Sequence, residues 1–100
     1  MTRVVQKVVC YIVRDGNLLV FVHVDVPLAD TGVQVPAGTI RPGESGRTAA
    51  VREAREETGI AAFSKVRYLG RRLYDQRPYR DERHLRHFYQ LTPEGDLPER

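Results

Sequence analysis

The sequence predicts one small domain of the α+β or α/β class, with strands gathered round a single long helix. Three observations predict it. Val4 to Val13 is a β-branched, apolar run that ends at a turn signal, Asp15-Gly16-Asn17. Between Pro42-Gly43 and Gly59 the apolar and acidic residues recur at helical spacing. Two further strand-like runs, Ser64 to Tyr74 and Arg83 to Thr92, follow the helix. At 100 residues the chain allows a single domain.

Val4 to Val13 has the composition of a well-buried strand. Asp15-Gly16-Asn17 predicts a hairpin. Leu18 to Val26 is the return strand, with Leu19, Phe21 and His23 alternating against Val20, Val22 and Val24. Pro27 to Thr31 reads as a loop and Gly32 to Val35 as a short strand. Pro36, Ala37 and Gly38 form a tight passage, and Pro42-Gly43 turns the chain towards the helix. Ser45 or Thr48 caps the helix start, and Gly59 ends it as a left-handed glycine. The apolar stripe of this helix is Ala50, Val51, Ala54 and Thr58. In the strand from Ser64 to Tyr74, Gly70 marks a bulge or a close approach. Gln76 to Glu82 is a polar loop, and Pro93 to Arg100 looks irregular.

Composition narrows the function classes. No apolar stretch approaches the length of a membrane span. Met1-Thr2-Arg3 runs straight into a strand and carries no signal-peptide pattern, so a cytoplasmic location is the default expectation. Cys10 is the sole cysteine, which excludes an internal disulfide; its Val-rich setting predicts a small buried hydrophobe. The net charge of +3 suits a polyanionic ligand only weakly. Its distribution is more telling, because Arg71, Arg72, Arg77, Arg80, Arg83 and Arg86 crowd the region around Tyr74 and Tyr79. Arginine forks suit phosphate oxygens, and aromatic faces suit bases. Arg72, Arg77, Arg86 and Tyr74 are the candidate substrate contacts, against the plainer reading of a solvated basic loop. No helix-turn-helix, zinc-finger or RNA-recognition signature accompanies them, so nucleic acid is not the expected partner.

The chemistry concentrates in residues 38–60. Glu53, Glu56 and Glu57 stand three and four residues apart, within roughly a 100° arc of one helix. Like charges so placed repel, and near a helix C-terminus the macrodipole disfavours them further. A bound cation makes such a patch favourable, and oxygen ligands suit Mg²⁺ or Mn²⁺. Arg52 is positioned to hold Glu56 four residues on. The stripe at Ala50 and Ala54 lies roughly 120° round the wheel, so one face packs on a sheet while its neighbour holds metal. The competing reading is a solvated helix of mixed Glu and Arg, which the flanking glycines and turn do not require.

This segment resembles the Nudix box, whose pattern is G-x5-E-x7-R-E-U-x-E-E-x-G-U with U a bulky aliphatic. Gly38, Glu44, Arg52, Glu53, Glu56, Glu57, Gly59 and Ile60 match, and Ala54 departs from the bulky position. The motif covers about a quarter of the chain. The resemblance implies the Nudix fold, an α+β architecture built as an α/β/α sandwich with a mixed β-sheet. It also implies a hydrolase of nucleoside diphosphates linked to another moiety, with a nucleotide or nucleotide derivative as substrate. Glu53, Glu56 and Glu57 are then the metal ligands, with the backbone carbonyl of Ala37 or Gly38 completing the set. Arg52 orients them and Glu44 supports from behind. Glu82, Asp81 and, more weakly, Glu94 are candidates for the general base, beside the box carboxylates themselves. The C-terminal helix usual in this family has no counterpart in Pro93 to Arg100. The chain, residues 1–100, is therefore expected to be a single domain that is C-terminally short or a piece of a longer protein, or else a homodimer that covers the bare sheet face.

The histidines do not change this picture. His84 and His87 fall on opposite faces of a strand, and no Cys or His pair completes a zinc pattern. Phe88 and Tyr89 likewise split between the two faces, with core packing expected for both. The alternative to an enzyme is a catalytically silent, Nudix-like nucleotide-binding or regulatory module.

Overall fold

Asp15 and Gly16 both take positive φ, 51° and 78°, and reverse the chain in two residues. Such a turn matches the twist of paired strands, which is why Asp-Gly is so effective there. It joins β1 (Arg3–Arg14) to β2 (Asn17–Leu19), with Arg14 opposite Asn17. The computed structural model describes residues 2–20 and 34–95. The remaining elements are β3 (Ala37–Thr39), α1 (Gly46–Thr58), β4 (Phe63–Asp75) and β5 (Glu82–Pro93). The rest of the predicted return strand, Phe21 to Val26, and the loop Pro27 to Thr31 lie outside the described residues.

The strands form one mixed sheet in the order β2-β1-β5-β4. β1 and β5 are parallel over ten residue pairs, and the other pairings are antiparallel. β2 and β3 share the outer edge of β1: β2 pairs with Ile12, Val13 and Arg14, and β3 with Lys7, Val8 and Val9. Among the described residues a single helix crosses one face of this sheet, giving an α+β fold.

A short strand lies at Ala37–Thr39. Pro36 has no N–H to donate, yet its carbonyl accepts from Cys10 N–H at 2.8 Å and brings the next residues into register with β1. Of the predicted strand Gly32 to Val35, residues 32 and 33 lie outside the described residues, and Gln34 forms an isolated bridge. Arg41 C=O then accepts from Glu44 N–H at 3.0 Å across Pro42-Gly43, with Gly43 at φ 78°. Proline followed by a positive-φ glycine is the signature of a type II turn.

Ser45 is the helix cap; its hydroxyl accepts from Thr48 N–H at 3.1 Å. Gly59 closes the other end in the left-handed conformation, donating to Arg55 C=O at 2.9 Å. The buried stripe is Ala49, Ala50 and Ala54, with Val51 at its margin. These small residues let the helix lie close on Val8, Cys10 and Ile12 of β1 and Tyr89 and Leu91 of β5. Cys10 Sγ donates to Ala50 C=O at 3.3 Å. Burial raises this thiol to about 12, aided by the nearby Glu57 and Glu53 charges, so it is an inert core residue as its sequence context predicts.

Strand alternation fixes which side chains share the helix face. On β4 the alternation is reset at Gly70, where the register slips between Tyr68 and Gly70 and φ is 129°. The bulge lets Tyr68 face α1 with Tyr89, while Arg72 and Tyr74 turn to the other side with Arg86 and His84. On that far side Val5, Val9, Tyr11, Val13 and Phe88 are half-buried, with Tyr11 stacked on Phe88 at 6.1 Å. No helix among the described residues is long and apolar enough to cross a membrane.

Candidate active site

The second half of α1 lies beside β3. That places Arg52 among four acceptors. Its Nε and one terminal nitrogen grip Glu44 with two bonds of 2.8 Å. The second terminal nitrogen donates to Glu53 at 2.5 Å, and the first also reaches Thr39 C=O at 3.0 Å. Glu56 stands farther off, at 3.6 Å. The predicted Arg52–Glu56 pair is thus present but is the weakest of these contacts; the short bonds go to Glu44 and Glu53. The Arg52 and Glu44 side chains are only 15% and 11% exposed, so the pair is well shielded. A fork gripping a carboxylate at two points fixes orientation as well as distance.

Glu44 is tied twice over, because its carboxylate also accepts from Arg41 N–H at 3.0 Å. The Arg52 guanidinium and then this N–H hold its carboxyl down at about 2. Glu44 and Glu53 in turn push Arg52 further up. This loop–helix link fixes the start of α1 to its middle.

Glu53 lies directly against Gly38. A Cβ at position 38 would overlap the Glu53 carboxylate, so glycine is needed for space rather than for an unusual backbone angle. Glu57 reaches the neighbouring residue, accepting from Ala37 N–H at 2.9 Å. Glu56 is open, with 54% of its side chain exposed, and Arg41 stands 3.9 Å away. Partial burial of the Glu57 carboxylate raises its pKa; Ala37 N–H opposes this, and the Glu53 and Glu56 charges add to it.

The donor chemistry fits a hard divalent cation. Three carboxylates share one patch, and one of them is driven towards protonation partly by the other two, a repulsion that a cation would relieve. Among the described residues, no three acidic, His or Cys side chains already converge as a finished cage. Arg52 holds one oxygen of the Glu53 carboxylate and Ala37 N–H one oxygen of Glu57, so each carboxylate keeps a second oxygen that could meet a cation.

Other sequence-predicted residues are not brought to this patch. Glu82 pairs with His84 at 2.7 Å and Arg80 at 3.7 Å, and the His84 contact lowers its pKa. It lies level with Arg3, whereas Gly38 is level with Val8 and His87. Five residues of strand, about 16 Å, separate those levels. Asp81 accepts from Thr2 and Arg3 at the same remote end. Arg72, Tyr74 and Arg86 do meet one another, with the Arg86 guanidinium 4.2 Å from the Tyr74 ring centre, but on the sheet face away from α1. Arg77 is spent on Asp75, with bonds of 2.6 to 3.1 Å. His84 and His87 do take opposite faces, as strand parity requires.

The sequence reading passed over Arg41, Thr39 and the contacts that Gln6 and Tyr68 make with His87. Arg41 sits inside the variable stretch of the motif, so no pattern flags it. Tyr68 was hidden by the bulge, which breaks the alternation that would have placed it.

Comparison with known proteins agrees with this geometry. A family model described as the NUDIX domain matches residues 4–100. The chain is 41% identical over 69 residues to the Bacillus subtilis (strain 168) protein named "Putative 8-oxo-dGTP diphosphatase". That match takes in 69% of this chain and 42% of the relative, so the chain spans less than half the relative's length. The fold is similar to a NUDIX hydrolase from Nitrosomonas europaea, with TM-score 0.72, 26% identity, and coverage of 96% of this chain and 63% of that one. It is also similar to the MutT protein of Methanosarcina mazei Go1, with TM-score 0.71, 18% identity, and coverage of 99% and 71%. With the box residues gathered round Arg52 and the family model spanning nearly the whole chain, this protein belongs to the NUDIX domain family.

Proposed function

We propose that this chain hydrolyses the pyrophosphate linkage of a nucleoside diphosphate joined to another moiety, using a divalent cation, Mg²⁺ or Mn²⁺. The observation that carries the reading is the Arg52 network, which holds Glu44 and Glu53, with Glu53 against Gly38, Glu57 on Ala37 N–H and Glu56 on the same helix patch. The name of the Bacillus relative supports a nucleoside polyphosphate as the substrate class.

Glu53, Glu56 and Glu57 would hold the cation, with a carbonyl from Ala37 or Gly38. Bound there, it would neutralise phosphate charge and make an attacking water more acidic. The protein's own part is orientation. Arg52 fixes Glu53, Glu44 fixes Arg52, and the Pro42-Gly43 turn fixes Glu44. Arg41, at the rim and paired only loosely with Glu56, is free to meet a phosphate oxygen. Water attacks phosphorus in line, the bridging P–O bond breaks, and the leaving phosphate carries off the charge. Glu82 is too far along the sheet to take the water's proton, so a box carboxylate takes it.

One observation favours a second reading, a nucleotide-binding module without turnover: the carboxylates are engaged by Arg52 and Ala37 rather than converged. A panel of nucleoside triphosphates, dinucleotides and nucleotide sugars, incubated with Mg²⁺ or Mn²⁺ and analysed by mass, separates the two. Cleavage at a phosphate–phosphate bond supports the enzyme. Ligands that bind and are recovered intact support the module.

A further inference from the structure

The sheet face away from α1 is covered by no helix among the described residues, and strand parity sorts its side chains into rows. Lys7 is level with Arg86, and Arg86 with Arg72, so three cations stand side by side across β1, β5 and β4. The row is two strand spacings long, roughly 10 Å. Like charges placed directly opposite one another destabilise a sheet. Among the described residues none of the three forms an ion pair. Arg67 and Lys65 extend the charge two and three rows further along β4. The carboxylate that parity puts on this face, Glu82, lies at the other end, level with Arg3 and bonded to His84.

Aromatic rings fill the rows on either side of the cations. Tyr74 lies one row to one side and Phe88 one row to the other, each about 7 Å away along the strand. The Arg86 and Arg72 guanidinium carbons are 4.2 and 5.9 Å from the Tyr74 ring centre, so both forks gather over one ring. Tyr11, diagonally across from Phe88, stacks on it with the ring planes 8° apart. Both rings are half-buried, so part of each faces solvent. Gly70 is the residue opposite Phe88, and the space where its side chain would stand is open. A glycine inside a strand often marks the close approach of a ligand.

We propose that this face binds single-stranded nucleic acid, with phosphates at the Lys7–Arg86–Arg72 row and bases on Phe88 and Tyr11. Arginine forks take phosphate oxygens two at a time, and every base has a flat face that can stack on an aromatic ring. A single strand carries phosphate and base in alternation, as the rows carry cation and ring. A duplex keeps its bases inside and would meet the cations alone. A second copy of this chain is a poor occupant, because two such faces repel. No motif announces the face, since its rows are assembled from three strands. The inference does not rest on the proposed reaction. α1 packs on Val8, Cys10 and Ile12, the alternate residues of β1, so its carboxylates lie across the sheet from this face.

The test is fluorescence anisotropy of a short labelled oligouridylate in EDTA, where neither metal nor turnover intervenes. For single strands the logarithm of affinity falls with that of salt by about 0.7 per phosphate neutralised, so three to five contacts give a slope of roughly −2 to −3.5. Arg72→Ala and Arg86→Ala together should weaken binding at least about tenfold and flatten the slope by about 1.4. Phe88→Leu should weaken it about fivefold or more with the slope kept, and a melting curve in EDTA checks that this variant is folded. Arg67→Ala alters only an exposed side chain and should flatten the slope by about 0.7. Every variant should keep the metal-induced rise in melting temperature. The proposal is overturned if the annealed duplex, inorganic polyphosphate or charge-matched poly-glutamate binds as tightly as the single strand. Arginine variants that leave affinity and slope unchanged, or a folded Phe88→Leu that binds like the wild type, would overturn it too.

Discussion

Replacing Gly38 by alanine tests the heart of the site with one methyl group. The new Cβ would fall on the Glu53 carboxylate, the flexible end of a side chain, and not on backbone. Glu53 can swing clear, at the cost of its 2.5 Å bond to Arg52. Gly38 lies within β3 and is not among the positive-φ glycines, so alanine fits the backbone. Relief of glycine's unfolded-state entropy contributes about 0.4–1 kcal/mol in favour of the variant. The apo-protein is therefore expected to melt within a few degrees of the wild type. Metal binding should suffer, because disturbing the groups that orient a ligand typically costs 10- to 100-fold in affinity. At a metal concentration about 100 times the wild-type Kd, the linkage relation makes that loss about 1.3–2.3 kcal/mol of metal-dependent stabilisation. For a domain of this size the metal-induced rise in Tm should shrink by roughly 5–20 °C. Paired melting curves in EDTA and in Mg²⁺ or Mn²⁺ read both quantities at once. A variant that keeps the full metal increment would show that Glu53 is not a ligand. A collapse of the apo-protein would show that Gly38 serves the fold alone.

Three more outcomes follow from the same geometry. Glu56→Gln should lower turnover by at least about 100-fold while leaving apo stability unchanged or slightly raised, since it removes a like charge from the patch; near-normal kcat would remove Glu56 from the mechanism. Folding lowers the Glu44 pKa from its ordinary value of 4.5 to about 2, so its stabilising contribution is complete above that ordinary value and is lost as pH falls through about 2; Glu44→Gln should flatten this part of the acid-unfolding curve, and an identical curve would mean the Arg52 link adds nothing to stability. Arg86→Ala, on the face away from α1, should change kcat/KM less than about threefold if the reaction is confined to the helix side, because groups so separated act independently; a tenfold loss would place the Arg72–Tyr74–Arg86 cluster in the substrate path after all.

Much of the site could be read from the sequence because a helix converts spacing into position. The intervals among Arg52, Glu53, Glu56 and Glu57 put them on one patch whatever the rest of the chain does, and Gly59 ends the helix where an αL residue is needed. Asp15-Gly16 fixed the hairpin for the same local reason. Strands gave less away. Their alternation says which residues share a face, but not how far apart along the sheet two strands bring their side chains. Glu82 and the arginines near Tyr74 follow the box closely in sequence, yet the parallel β1–β5 register sends Glu82 to the remote end and strand parity turns Arg72 and Arg86 to the other side. The bulge at Gly70 then changes which residues of β4 share a face, a shift that glycine announces without saying how it is resolved.

The arrangement also explains why alanine is tolerated at position 54, where the motif favours a bulky aliphatic. Ala49, Ala50 and Ala54 are fully buried against Val8, Cys10 and Ile12, so the helix axis approaches the sheet closely. Closeness is what lets Glu53 rest on Gly38 and Glu57 reach Ala37 N–H. A leucine at 54 would lift the helix, and overpacking of this kind typically costs about 1–3 kcal/mol. The lift would also carry Glu53 and Glu57 away from β3 together. Alanine there is thus coupled to glycine at 38: a small residue on the helix and none on the strand set one separation, and that separation holds the carboxylates beside the β3 backbone.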